Sequence, residues 1–229
     1  MQSISQRLNA LRAKISEFEQ RYGREAGSVS LLAVSKTKPA SAVHEAWLGG
    51  QRAFGENYLQ DALTKIHDPS LAGLDLEWHF IGPLQSNKTH SVASHFNWLH
   101  SLDRLKIAQR LNDQRPPALP PLQICLQIKL RAEAGKSGID ADQAPALADA
   151  VAALPNLRLR GLMTLPPTCD RLELQRKPFR ELRQLFEHLR QGGHDLDTLS
   201  MGMTADMEAA IAEGATILRI GTAIFGPRT

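Results

Sequence analysis

Leu8, Leu11, Ile15, Phe18 and Tyr22 recur at steps of three and four over residues 2–22, the spacing that gathers side chains on one face of a helix. Val29-Ser30-Leu31-Leu32-Ala33-Val34-Ser35 follows as a short apolar run without alternation. Such a run suits a strand buried on both faces, as in a parallel sheet. A helical stretch comes next, with Pro39 near its start and Gly49-Gly50 past its end. The alternation then repeats. Strand-like runs fall at Arg52 to Gly55, Leu76 to Gly82, Phe96 to Ser101, Leu122 to Leu130, Leu157 to Leu165, Thr198 to Met201 and Thr216 to Ile220. Between them lie helical stretches at Asn57 to Ile66, Asn87 to Ser94, Asp103 to Gln114, Ala141 to Leu154, Glu173 to Gln191 and Ala205 to Glu213.

With the first run these make eight strands. Strict alternation of strand and helix implies parallel strands joined by right-handed crossovers. A closed (β/α)8 TIM barrel, usually about 250 residues, is the α/β architecture predicted, as a single domain over residues 1–229. Nine residues follow Ile220, so no eighth helix is expected after the last strand, and the additional N-terminal helix is expected to cover that gap. An open doubly wound sheet is the alternative, but the chain has no Gly-x-Gly-x-x-Gly fingerprint. Arg115-Pro116-Pro117-Ala118-Leu119-Pro120-Pro121 reads as a stiff connector within the domain.

Composition removes several classes. With 42% hydrophobic and 22% charged residues the chain has the apolar content for a core and is not a disordered polymer. Its 27 Lys+Arg against 24 Asp+Glu give a formal charge of +3, which is no polycation for a nucleic-acid backbone. No run approaches the roughly 18 consecutive apolar residues of a membrane span, and Met1 to Arg7 holds no apolar signal-peptide region. Cys125 and Cys169 make no disulfide framework and are expected as reduced thiols in a cytoplasmic chain.

Barrel sites form at the carboxyl ends of the strands. Ser200, Gly202 and Thr204 past the seventh strand, and Gly221-Thr222 past the eighth, have the small residues of a phosphate loop. Ordinary helix capping explains each of these loops taken alone. Lys36 follows a wholly apolar strand, which would bury its stem and aim its amine into the mouth, where desolvation leaves an amine nucleophilic. Lys38 reads as a solvated loop lysine. An amine beside a phosphate loop suggests an aldehyde cofactor bearing a phosphate, held as a Schiff base. Arg219 ends the last strand, where its donor fork would face a ring nitrogen, or would pair with Glu208 or Glu213. Asn57 and Met163 stand just past the second and sixth strands.

Several motifs together carry a family resemblance. They are Ala33-Val34-Ser35-Lys36-Thr37-Lys38-Pro39, Phe54-Gly55-Glu56-Asn57-Tyr58, Trp78 to Lys88, Leu159-Arg160-Gly161-Leu162-Met163, Ser200 to Ile211 and Arg219 to Gly226. They resemble the pyridoxal phosphate homeostasis protein family, whose fold is that of the N-terminal barrel of alanine racemase. The resemblance runs from about Leu31 to Gly226. It implies that Lys36 holds pyridoxal 5'-phosphate (PLP) as a Schiff base, that Asn57 lies beside the ring, and that Arg219 faces the pyridine nitrogen. It places Ser200, Gly221 and Thr222 on the phosphate, with Gly202 and Met203 in the same loop. The candidate cofactor-binding set is therefore Lys36, Asn57, Met163, Ser200, Gly202, Met203, Arg219, Gly221 and Thr222, with no catalytic or metal-ligating residue assigned. Thr204 stands where the family commonly has Ser, and the loop Arg131 to Ser137 departs from the family's usual polar stretch, so Lys136 is given no role.

Other signals point elsewhere. Gly135-Lys136-Ser137 resembles the end of a Walker A loop, but the first glycine of that motif would fall on Leu130. His90, His95 and His100, five apart, share no helix or strand face and read as unrelated; the direction of His79 is left open by alternation alone. Three functions follow: a PLP carrier or reservoir in vitamin B6 homeostasis, an amino-acid racemase, or a Schiff-base aldolase. Racemisation needs an acid/base group on each face of the substrate. The racemases resembled take the second, a tyrosine, from a second domain, and the tyrosines here are Tyr22 and Tyr58. An aldolase accounts for Lys36 but not for Arg219 beside the phosphate loops. The expectation is a carrier rather than an enzyme. It would be a cytoplasmic monomer that meets PLP-dependent apoenzymes transiently and binds neither nucleic acid nor membrane.

Overall fold

A computed structural model describes residues 2–130, 137–167 and 169–227. The strands are β1 (Ser30–Val34), β2 (Ala53–Glu56), β3 (Glu77–Phe80), β4 (Trp98–Leu102), β5 (Leu122–Lys129), β6 (Ile139–Asp140), β7 (Leu157–Met163), β8 (Thr198–Ser200) and β9 (Ile217–Ile220). The helices are α1 (Ile4–Arg21), α2 (Ala40–Leu48), α3 (Leu59–Ile66), α4 (Thr89–His95), α5 (Leu105–Gln114), α6 (Ala144–Ala152), α7 (Leu172–Gln191), α8 (Met207–Ala212) and α9 (Thr222–Phe225).

All strand pairings are parallel, and the order β4-β3-β2-β1-β9-β8-β7-β5 is closed into a ring by β4 pairing with β5. The result is an eight-stranded barrel with surrounding helices, preceded by α1. The two-residue β6 adds outside this ring against Ile128 and Lys129 of β5.

The N-terminal helix takes the place expected of it. Ser3 and Gln6 cap its start reciprocally, each side chain bonded to the other's backbone N–H. Leu8, Leu11, Ile15 and Phe18 are buried along one face, and α1 packs on α2, α8 and α9. One correction applies beside it: the last strand is followed by a helix after all, the single turn α9. Four residues cannot shield the β9–β1 seam, so α1 does.

Inside and outside of the barrel differ in chemistry. On β5, Leu122, Ile124, Leu126 and Ile128 belong to the main core between sheet and helices, while Cys125 on the opposite face packs with Trp98 and Met163 in a separate cluster. Strand alternation therefore turns Gln123, Cys125 and Gln127 inward. The same reasoning turns His79, His100, Ser200 and Arg219 inward, between outward apolar neighbours such as Trp78, Phe80, Leu99, Leu199, Leu218 and Ile220. Barrel interiors are usually filled with branched aliphatic layers; this one is lined largely by polar side chains.

Candidate functional site

Leu32 and Val34 point into the barrel from β1, and Lys36, two residues on, is half-buried at the mouth. Its turn is held from both sides. Ser35 Oγ donates to Glu56 Oε1 at 2.6 Å, and Lys65 Nζ donates to Ser35 O at 2.8 Å and to Glu56 Oε1 at 2.6 Å. On the other side Thr37 N–H donates to Asp61 Oδ2 at 2.9 Å, and Lys65 reaches the same oxygen at 3.1 Å. Thr37 is left-handed, φ 63°, a conformation costing a β-branched residue about 1–2 kcal/mol that the surrounding bonds must offset.

A strand ending at Gly55 predicts Glu56 just past it. It is instead the last residue of β2 and turns outward, fully buried, to meet Lys65 of α3. Burial pushes its carboxyl above the usual range, and the Lys65 charge pulls it back.

A cavity of about 280 Å³ opens beside this turn, lined by Lys36, Lys38, Met203, Thr204, Arg219, Gly221 and Thr222 among others. It thus brings together five of the expected site residues from the ends of β1, β8 and β9. Lys38, read as a solvated lysine, faces it as well and donates from Nζ to Pro227 O at 2.8 Å. The Gly221 backbone lies against β1: a Cβ there would come within 3.0 Å of Val34 O and 3.4 Å of Val34 Cβ, so glycine lets this wall close up. Gly202 and Ser200 lie behind the lining. Gly202 has φ 96°, and a Cβ would meet Ala210 Cβ at 2.5 Å and Leu218 Cδ2 at 2.7 Å. The Met203 N–H donates to Asp206 Oδ1 at 2.5 Å. Burial raises the Asp206 carboxyl, against the pull of that amide and of Arg219.

Arg219, at the end of β9, is 4% exposed. Nη1 donates to Ser200 O and, at 2.8 Å, to Ser200 Oγ; Nη2 donates to Thr164 O at 2.8 Å. Burial pulls its pKa down to about 10, which still leaves it protonated at neutral pH. The ion-pair alternatives are taken by others. Glu208 holds Arg21 and Tyr22, and Glu213 holds Arg176, Arg180 and Arg183.

A second cavity, about 410 Å³, lies beyond Arg219, lined by Asn57, Ile81, Gln127 and Thr164 together with apolar residues of β5 and the segment after β7. Arg219 links the two, lining the first and bonding the carbonyl of Thr164, which lines the second. Asn57 is in this second cavity rather than with Lys36, and its Oδ1 is buried without a hydrogen-bond partner among the described residues. Met163 is fully buried beneath, against Trp98 and Cys125. The Cys125 thiol is pushed up to about 12 by burial. Lys136 lies outside the described residues.

Sequence reasoning missed two sets of residues. One is the Glu56–Lys65–Asp61 group; Asp61 and Lys65 stand four apart on α3, a spacing that pairs opposite charges. The other is His79 with His100. These two, one left undirected and the other read as unrelated, are buried and hydrogen-bonded to each other at 2.9 Å, and His100 Nδ1 lies 2.7 Å from Ser200 Oγ.

A family model for the alanine racemase N-terminal domain matches residues 6–229. The chain is 58% identical over 229 residues to the pyridoxal phosphate homeostasis protein of Pseudomonas aeruginosa, covering 100% of this chain and 97% of that protein. It is 53% identical over 229 residues to the protein of that name from Escherichia coli, covering 100% and 98%. Among solved structures, PipY of Synechococcus elongatus with PLP bound superposes with a TM-score of 0.86 at 37% identity, over 98% of this chain and 100% of that one. Alanine racemase from Corynebacterium glutamicum shares the fold, TM-score 0.68 at 17% identity, over 96% of this chain and 61% of that one.

Proposed function

The chain belongs to the pyridoxal phosphate homeostasis protein family, built on the alanine racemase N-terminal barrel, and from that premise we propose that it binds PLP through a Schiff base on Lys36 and serves as a carrier or reservoir of it in vitamin B6 homeostasis. The observation that carries this reading is the convergence of Lys36, Arg219, Gly221 and Thr222 on one cavity at the barrel mouth. Two features fit the cofactor. The Gly221 wall is one that a Cβ would crowd, and Asn57 Oδ1 is a buried acceptor lacking a partner among the described residues. Bound there, PLP would supply an aldehyde that condenses with amines and a ring that withdraws electrons.

The roles of this chain's residues follow. Lys36 provides the amine, held in place by the bonds on Ser35 and Thr37. Gly221 and Thr222 receive the phosphate across the cavity with the Met203–Thr204 loop, and Gly202 sets the path of that loop. Ser200, which the resemblance assigns to the phosphate, also bonds Arg219 from below. Arg219 keeps its proton and offers the ring nitrogen a donor, so the nitrogen stays unprotonated and the ring is a weaker electron sink. Asn57 stands beside the ring and Met163 supports the floor.

The racemase reading needs a second acid/base group, and neither tyrosine meets it. The Tyr22 hydroxyl donates to Glu208 at 3.0 Å in the helix layer, and Tyr58 is 57% exposed and lines neither mouth cavity. This favours a carrier, with residues 1–229 acting as one barrel domain, a cytoplasmic monomer that passes PLP to apoenzymes in transient encounters. The test is to load the protein with PLP, reduce it with borohydride and map the peptides by mass. The pyridoxyl mass is expected on Lys36, and its exclusive appearance on another lysine would overturn the assignment. Racemisation of any amino acid at about 1 s⁻¹ or faster, the ordinary range of enzymes, would overturn the carrier role.

A further inference from the structure

A column of polar side chains runs through the barrel from Arg219 at the mouth to Glu77 at the other end, hydrogen-bonded from Arg219 to His79. Arg219 Nη1 donates to Ser200 Oγ at 2.8 Å, His100 Nδ1 lies 2.7 Å from that oxygen, and His100 Nε2 lies 2.9 Å from His79 Nδ1. His79 Nε2 then faces Glu77 Oε2 at 3.6 Å, longer than a hydrogen bond, and has no hydrogen-bond partner among the described residues. The lower end is fixed: Trp98 Nε1 donates to Glu77 Oε1 at 2.6 Å, and the Trp98 ring stacks on His79 with 6° between planes.

The two ends have opposite and unchangeable characters. A guanidinium only donates, an ionised carboxylate only accepts, and a neutral imidazole does one of each. His79 and His100 are both completely buried, which holds both imidazoles neutral at pH 7. Two directions of protonation are then conceivable. In one, His79 carries its proton on Nε2 toward Glu77, His100 carries its own on Nε2 toward His79, and the Ser200 hydroxyl donates to His100 Nδ1. In the reverse, a nitrogen lone pair of His79 faces the carboxylate, and Ser200 Oγ receives two N–H groups while its own proton needs a new acceptor. Repulsion at Glu77 excludes the reverse.

We propose that Glu77 fixes the direction of every proton in this column, so that the Ser200 hydroxyl commits its own proton to His100 and keeps its lone pairs for Arg219, making Glu77, His79 and His100 positioning residues for the arginine at the mouth. The consequence for a bound ligand rests on the PLP reading: Arg219 is locked along its Nη1 edge and meets the ring nitrogen in one orientation.

The experiment has two arms. In the protein without PLP, nitrogen-15 NMR of labelled histidine at neutral pH is expected to show His79 and His100 neutral with the proton on Nε2. A proton on Nδ1, or a charged ring, in either residue overturns the proposal whether or not PLP binds. In Glu77→Gln the amide keeps an oxygen for Trp98 but can turn its NH2 toward His79, so both tautomers are expected in each ring. Unchanged single tautomers overturn the role of Glu77. With PLP added, the same variant is expected to shift the visible band and to raise the dissociation constant about threefold to tenfold, the range of one weakened hydrogen bond. Scrambled tautomers with an unshifted band and unchanged affinity overturn the positioning of Arg219. Failure of the wild-type protein to bind PLP would sink the functional reading alone, leaving the first arm to decide the column.

Discussion

Lys65 is 2% exposed and neutralises a carboxylate, Glu56, that is fully buried. An ion pair in such a place contributes little net stability relative to an apolar pair, but removing one member strands the other. Lys65→Met is therefore expected to destabilise the protein by about 3–5 kcal/mol in urea unfolding. Adding Glu56→Gln removes the stranded charge and is expected to recover more than half of that loss. Additive effects of the two substitutions would show that they do not act as a pair. The same residues flank the amine at the mouth, since Ser35 and Thr37 are bonded by Glu56, Lys65 and Asp61. Lys65 thus supports the Lys36 turn as well as the α3–β2 contact.

At the scale of elements, the turn from β8 into α8 depends on Gly202, whose φ of 96° and close neighbours Ala210 and Leu218 leave no room for a side chain. Gly202→Ala is expected to cost about 2–4 kcal/mol, since it adds left-handed strain to overpacking, and to weaken PLP binding through displacement of the Met203 loop. Full stability by thermal unfolding would mean the turn tolerates a Cβ and the glycine has another purpose. The element order itself was legible, because apolar runs punctuated by helical periods of three and four are what parallel strands and amphipathic helices require. The ends of elements were less so. Glu56 looked like the first loop residue after an apolar strand, yet the ladder to β3 continues through it, pairing Glu56 with Phe80. The split of the site across two cavities had no signal in sequence, since Lys36 and Asn57 both simply follow strands. The interior column did have one. Glu77-Trp78-His79-Phe80 alternates polar and apolar with period two, which marks two faces of different polarity without saying which one turns inward. Spacing the histidines by five along the chain, rather than by their strand partners, concealed it.

For the whole molecule, the polar barrel interior sets how the fold responds to acid. His79 and His100 have an ordinary pKa of about 6.5 when unfolded, and burial lowers both in the folded state. Below about pH 6.5 the unfolded chain therefore binds protons that the folded protein refuses, and stability falls as pH falls through that window. A group refused completely loses about 1.4 kcal/mol by pH 5.5, so the two together account for up to about 3 kcal/mol between pH 7.5 and 5.5. Glu56 and Asp206 act with the opposite sign. Their carboxyls are raised on folding, so the folded state takes up their protons first and gains stability as pH falls. The histidine contribution is isolated by comparison with a His79→Gln, His100→Gln double variant, which keeps both carboxylates. Urea unfolding of the two proteins across this range is expected to give a steeper acid loss in the wild type, the difference staying below a ceiling of about 3 kcal/mol at pH 5.5 because Glu77 opposes part of the lowering at His79. Parallel profiles would mean that the imidazoles take up protons in place, and that the barrel opens to water without unfolding.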